Sequence, residues 1–261
     1  MTNLARDARY ALRTFRGNPL FTVVAVLTLA VGIGANTAIF SVANALLLRP
    51  LPYQDPSRLV LISTRRAADP VNQGPLSLPR FEAVRGRNRS FSAIAAFTSE
   101  VFNFTGRGDP EQLAAARTSA NFLQVLGVRP AIGRQFLAAE DKPGGDPVVL
   151  IGHGFWVRRF GSDPAVVGRH ITLDQKDYTI VGVLPREFRF GFFPQNLDIL
   201  APRVFELNLA TPQQLQGGTM FLNLVARLRP GIGIAQAQSE MDGLSAQYPA
   251  SARVFPTPTR G

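Results

Sequence analysis

Two imidazoles, His153 and His170, are the only side chains in this 261-residue sequence with an ordinary pKa near neutrality, and so the first candidates for a base or a metal ligand. The sequence has no cysteine, which excludes thiol nucleophiles, disulfides and thiolate zinc sites. His153 lies in a Gly-His-Gly turn where it could serve as a base or a ligand. Nothing of the form His-Glu-x-x-His accompanies it, and a histidine without such partners is more often structural. Glu140 and Asp141 are adjacent carboxylates at a loop entrance. Acid–base work needs two carboxylates that converge, whereas neighbours in sequence tend to point apart, so a solvated loop is the expectation. No Gly-x-Ser-x-Gly elbow is present.

Phosphate chemistry of the P-loop kind needs a glycine, then a lysine, then a hydroxyl residue. Only Lys142 and Lys176 are available, and they precede Pro143 and Asp177. The cluster Arg85-Gly-Arg-Asn-Arg89, followed by Phe91, has the basic-plus-aromatic look of a nucleic-acid contact. One short cluster at a helix end is accounted for by the macrodipole, which favours arginine there. No nucleic-acid partner is therefore expected. The net charge of +10 comes from 28 basic residues, all but those two lysines being arginine, and it is spread too evenly to mark one anionic partner. Phe188, Phe190, Phe192 and Phe193 suit a core more than an exposed patch. The residues thus predict no catalytic, cofactor-binding or metal-ligating site, and no enzyme.

The elements that would carry any function begin with a membrane segment. No charged residue occurs between Arg16 and Arg49, and Leu20 to Gly34 is apolar on every face. Twenty-one residues from Leu20 to Phe40 make a helix of about 31 Å, the thickness of a hydrocarbon core. A transmembrane helix is expected over 18–48. Gly32-Ile-Gly34 falls inside it and is no dinucleotide fingerprint. Ala43-Asn-Ala45 has the form of a signal-peptide cleavage site, but the apolar stretch is about twice the 7–15 residues of a signal core. Ahead of it, residues 1–17 predict an amphipathic juxtamembrane helix: Leu4, Ala8, Leu12 and Phe15 share one face and Arg6, Arg9, Arg13 and Arg16 another. Arginines flank the span on both sides, so charge alone does not orient it.

The rest of the chain alternates strands and helices without a strict βαβ repeat, which predicts an α+β fold. Strands are expected at 58–64, 91–105, 111–119, 147–151, 171–173, 178–184 and 221–228. Helices are expected at 78–88 behind Ser77, at 121–126 closed by Gly127, at 153–160 and at 234–247 before Pro249.

The run Gly32-Ile-Gly-Ala-Asn-Thr-Ala-Ile-Phe-Ser-Val-Ala-Asn-Ala-Leu-Leu-Leu-Arg-Pro-Leu-Pro-Tyr53 closely resembles the first membrane helix of MacB-like, FtsX-type ABC transporter permeases, and most of all the acidobacterial-type orphan group. Collinear matches follow at Asn88 to Ser92, Ser119 to Pro130, Trp156 to Gly161, Asp163 to Gly168, Tyr178 to Pro185 and Leu228 to Gly231. The resemblance implies a mixed α/β periplasmic core domain in two lobes. One is porter-like, at 49–129 and 218–250; the other is an inserted strand-rich lobe at 130–217. It further implies a lipid bilayer, a separate ATP-binding subunit, and a homo- or heterodimer with another permease subunit. The N-terminus would be cytoplasmic and the bulk of the chain periplasmic at the inner membrane. In such permeases ATP hydrolysis drives periplasmic movement that exports or releases a substrate (mechanotransmission). Family members carry three more membrane helices, so 251–261 reads as a tail leading towards a second membrane helix that is missing. The alternative is a stand-alone, membrane-anchored periplasmic binding or scaffold module.

Overall fold

The computed structural model describes residues 19–43, 53–66, 69–105, 110–194, 196–206, 211, 213–214, 218–246 and 251–256. The chain divides into two compact units, Met1–Arg49 and Pro50–Thr259. The first unit holds one described helix, α1 (Pro19–Ala43), 25 residues without a charge. Thr28 and Thr37 donate their hydroxyls to carbonyls four residues back, at 2.8 Å each, so those polar groups are satisfied within the helix. Among the described residues no helix is long and apolar enough to cross a membrane. The structure therefore supplies a helix where the transmembrane segment 18–48 is expected, but not an established span. The expected juxtamembrane helix at 1–17 lies outside the described residues.

The second unit is a mixed α/β body. Its strands are β1 (Leu59–Arg66), β2 (Asp69–Gly74), β3 (Leu76–Ser77), β4 (Phe91–Phe104), β5 (Glu111–Thr118), β6 (Ile132–Gly133), β7 (Val148–Ile151), β8 (His170–Leu173), β9 (Lys176–Val183), β10 (Ile199–Ala201), β11 (Met220–Leu228) and β12 (Ser251–Pro256). Its helices are α2 (Leu78–Arg87), α3 (Phe122–Leu126), α4 (His153–Phe160) and α5 (Ile234–Ser245). The main path of the sheet runs β12-β1-β11-β4-β5-β10-β7-β9-β6. The β12-to-β4 flank is antiparallel throughout. It is joined through β5 to the other flank by β10, which runs parallel to β5, Ile199 to Ala201 lying against Ala115 to Arg117. Residues 251–256, expected to begin a tail, instead form β12, an edge strand held by six registered pairs from Val60–Pro256 to Arg65–Ser251.

Period-two alternation sorts the side chains onto two faces. Leu59, Leu61, Val225, Ala95, Phe97, Ala116, Leu200, Val148, Leu150 and Val181 point to one face and form a single core across both flanks. It is covered by α3 and by Phe188, Phe190 and Phe193 of the irregular segment before β10. The opposite face carries two separate cores. One lies under α2 and α5, built on Val60, Ile62, Leu222, Leu224 and Ala226. The other lies under α4 and the β8–β9 hairpin, built on Leu113, Ala115, Val149, Ile151, Ile180 and Ile199.

Local chemistry fixes several corners. Asp174 and Gln175 both adopt left-handed conformations (φ 47° and 63°), as a two-residue hairpin turn with the strands' own twist requires. The Asp174 carboxylate accepts from the Asn103 backbone and side-chain amides at 3.1 and 2.7 Å, pinning this hairpin to β4. Gly127 ends α3 at φ 73°. Ser77 precedes α2 as expected and Asn121 stands at the N-cap of α3, neither making a side-chain cap bond; Asn121 donates to the Ile94 carbonyl instead.

Candidate functional site

Two clefts and a buried charged node gather polar residues of the body. The first cleft, about 320 Å³, is lined by Gly152, His153, Arg158, Arg186, Arg189 and Asn196, among others. Its floor is set by an exceptionally close approach: a Cβ on Gly152 would lie 1.8 Å from the Leu197 carbonyl oxygen, and Gly152 N–H donates to the Asp198 carbonyl at 2.7 Å. α4 therefore starts hard against the segment leading to β10. The His153 ring meets Trp156 edge-on at 5.5 Å. Arg158 pairs with Glu111 at 3.0 Å and Asp198 at 3.2 Å, while among the described residues no carboxylate lines the cleft itself. A base working through His153 would need an acid to orient it, and the wall offers cations instead. His170 stands elsewhere, its Nδ1 3.3 Å from the Thr179 hydroxyl.

The charged node sits where the two flanks meet. Arg117 of β5 and Glu100 of β4 form an ion pair, both almost fully buried, with the guanidinium 5.2 Å from the centre of the Phe102 ring. Arg117 also donates to the Pro202 carbonyl at 3.3 Å. The next residue, Arg203, has φ 65° and is 1 % exposed; its Nη1 donates to the Gly145 carbonyl at 2.5 Å and the Asp146 carbonyl at 3.2 Å, and its Nε lies 2.9 Å from Glu206. Burying two such guanidinium groups is tolerable only because carbonyls and carboxylates surround them.

Glu140 and Asp141 do point apart, but they are not a solvated loop. Glu140 is 4 % exposed and accepts from both Arg134 terminal nitrogens, at 2.5 and 3.0 Å, and from Leu137 N–H at 2.7 Å. Burial pushes its carboxyl pKa up, but the bonds from Arg134 and Leu137 and the charges of Arg134 and Arg203 outweigh it, and the net shift is downward. Asp141 accepts from Ala120 N–H and Arg203 N–H, both at 2.9 Å, and so ties the end of β5 to the end of β10. Burial wins there and raises its pKa, against those two bonds and the charges of Arg85 and Arg203. Glu140 is received by Arg134 six residues earlier, whereas the charges of Arg85 and Arg203 beside Asp141 come from distant segments and are invisible in local sequence.

Asp141 opens onto the second cleft, about 510 Å³, lined by Leu78, Phe81, Glu82 and Arg85 of α2 facing Lys142, Pro143 and the Val204–Glu206 segment. The structure thus brings together Arg85 and Asp141, two separately noted candidates. Arg85 also lies over the Phe81 ring at 5.0 Å. The rest of the basic cluster is a helix terminus: Asn88 donates to the Val84 and Arg85 carbonyls, and Glu240 accepts from the backbone N–H groups of Arg89 and Ser90. The phenylalanines are core as expected, save that Phe192 is 38 % exposed. Phe190 and Phe193 both meet Phe97 edge-on, at 4.9 and 5.6 Å. Among the described residues no group of three or more His, Asp or Glu is placed to hold a metal ion.

Comparison with known proteins agrees with this architecture. The family model for the MacB-like periplasmic core domain matches residues 22–244. The fold is similar to the periplasmic region of MacB from Actinobacillus actinomycetemcomitans, with a TM-score of 0.60 and 11% identity, covering 77% of this chain and 89% of that one. It is also similar to the extracellular domain of the noncanonic ABC-type transporter YknZ from Gram-positive bacteria (TM-score 0.54, 12% identity, 76% and 99% covered). No curated protein matches the chain significantly.

Proposed function

This chain belongs to the family of MacB-like periplasmic core domains of ABC transporter permeases, and from that premise we propose that it works by transmitting movement rather than by catalysis. The family is a permease type and not an enzyme class. In this reading the 18–48 segment is a transmembrane helix with the N-terminus cytoplasmic and the body outside the inner membrane. A separate ATP-binding subunit and a second permease subunit complete the machine. Hydrolysis on the cytoplasmic side shifts a porter-like lobe (49–129 and 218–250) against an inserted lobe (130–217), and that motion exports or releases a substrate.

The observation that carries the reading is the seam on one face of the sheet. There two cores are separated by the Arg117–Glu100 pair, and an open cleft lies between α2 and the Lys142–Val204 side. Such a seam gives the sheet a place to bend on this face, while the continuous core opposite keeps the flanks joined. The uncharged stretch from Pro19 to Ala43 supports the anchor.

The test uses the full chain at its native locus, with a periplasm-active reporter after Gly261 and an affinity handle for recovery from native membranes. An active reporter, with an ATP-hydrolysing subunit co-purifying in stoichiometric amount, is the expected result. A silent reporter overturns the topology, and recovery of the chain alone overturns the coupled-transport reading in favour of an anchored scaffold.

A further inference from the structure

The cleft at His153 is built from cations that the protein itself leaves unbalanced, and we propose that it is a binding site for a phosphate monoester group. Three guanidinium groups, from Arg158, Arg186 and Arg189, and one imidazole line a space of about 320 Å³ with no carboxylate among its described lining residues. Arg158 is neutralised and fixed by Glu111 and Asp198. Neither Arg186 nor Arg189 has a carboxylate partner among the described residues. Arg189 is nonetheless held in place. Its Nη1 donates to the carbonyls of Arg186 and Phe188, at 3.0 and 2.8 Å, and its own carbonyl accepts from the hydroxyl of the buried Tyr53. Those acceptors are neutral, so they position the charge without cancelling it.

The charge count selects the ligand class. Two uncompensated guanidinium groups complement the roughly −1.5 to −2 charge of a phosphate monoester better than the single charge of a carboxylate. Arginine's planar fork matches phosphate oxygens in pairs. Gly152 and Gly154 contribute no side chain to the wall, and a Cβ at Gly154 would meet nothing within 4 Å, so the ligand meets open backbone on that side. The volume is near the lower end, about 300 Å³, of small-ligand sites and suits a headgroup-sized molecule. The site is independent of the transport reading: it stands or falls with these arginines.

The experiment uses the full chain in phosphatidylcholine nanodiscs, titrated calorimetrically with glycerol 3-phosphate. Saturable one-site binding is expected, weakened about tenfold or more in Arg186→Gln and further in Arg186→Gln/Arg189→Gln. Arg87→Gln, an exposed arginine on α2, leaves it unchanged. Arg186 is exposed and its side chain has no protein acceptor among the described residues, so Arg186→Gln keeps the wild-type melting temperature and a loss of binding is read directly. No saturable binding up to the order of 10 mM ligand, or equal affinity in the double variant, overturns the proposal. Competition by phosphatidic acid placed in the same nanodiscs identifies a lipid headgroup as the source of the phosphate. Undiminished binding in its presence identifies a soluble ester.

Discussion

The two faces of the sheet are built from the same strands and yet differ in continuity. On the face that carries Phe97, apolar side chains follow one another from β1 to β9 without interruption. On the other face, β4 contributes Ile94 and Ala96 to one core and Phe102 and Phe104 to another, and between them stand Thr98 and Glu100. Glu100 meets Arg117 of the neighbouring strand there. One polar pair therefore turns what would be a continuous core into two. An ion pair out of water contributes little net stability compared with an apolar replacement of the same volume, while losing one partner is costly. What the pair provides is a discontinuity: one face welds the flanks together and the other allows them to be separate bodies.

Substitutions can break or sharpen this contrast. The largest effect is expected from Phe97→Ala on the welded face, a loss of about 3–5 kcal/mol. It should move both flanks together. The single tryptophan, Trp156, reports from α4, so its fluorescence and far-UV dichroism should melt at one lowered temperature. Two separated transitions would contradict the weld. Glu100→Gln should cost a similar amount, about 3–5 kcal/mol, by stranding the buried Arg117. Replacing both partners by methionine should recover most of that stability and merge the divided cores, measured as a urea midpoint near wild type.

Gly152→Ala is expected to cost about 1–3 kcal/mol through overpacking, because its methyl would run into the Leu197 carbonyl. It should alter the local environment of Trp156 before it alters the melt of the β12-to-β4 flank. A wild-type near-UV spectrum for this variant would show that α4 is less tightly seated than the geometry requires.

The smallest effects are expected from pH. The Glu140 carboxyl has a lowered pKa in the fold, so its contribution is present above the ordinary glutamate range and is lost as pH falls through the folded value. Asp141 shifts the other way: its raised pKa makes the fold lose stability as pH rises from the ordinary aspartate value through the folded one. Glu140→Gln should therefore flatten the acid side of the stability profile, and Asp141→Asn should remove the opposing slope. Chemical denaturation between pH 3 and 7 reads both, and parallel profiles for the two variants would refute the opposition.

Much of this architecture was legible in the residues. The strand at 148–151 is a continuous apolar run, and α4 ends where expected, at Phe160 before Gly161. The hairpin at 170–183 announces itself by alternation around a polar turn. What escaped was decided by partners rather than by local pattern. Val254 is the one buried residue among the described side chains of β12, which is a strand because β1 offers it an edge. β10 is three residues long and β2 begins with Asp69-Pro70, too short or too polar for a periodic signal. The candidate site suffered most. His153 stands out in the sequence, but Arg186 and Arg189 carry no motif, and only the fold sets them beside it. The acidic pair at 140–141 reads as solvated in sequence because two of the cations around it, Arg85 and Arg203, come from distant positions.

The pairing of β12 with β1 also has a mechanical side. Because Val60 lies opposite Pro256, the body's first strand begins where its last strand finishes, at one corner of the sheet. A tension that draws these two points apart would act on the ladder rung by rung from that corner, as on a zipper, and not on all six rungs at once. The edge would then yield at low force while the welded core stayed intact. Force applied at these two ends of the body would be spent first on peeling β12, a built-in fuse ahead of the load on the rest of the sheet.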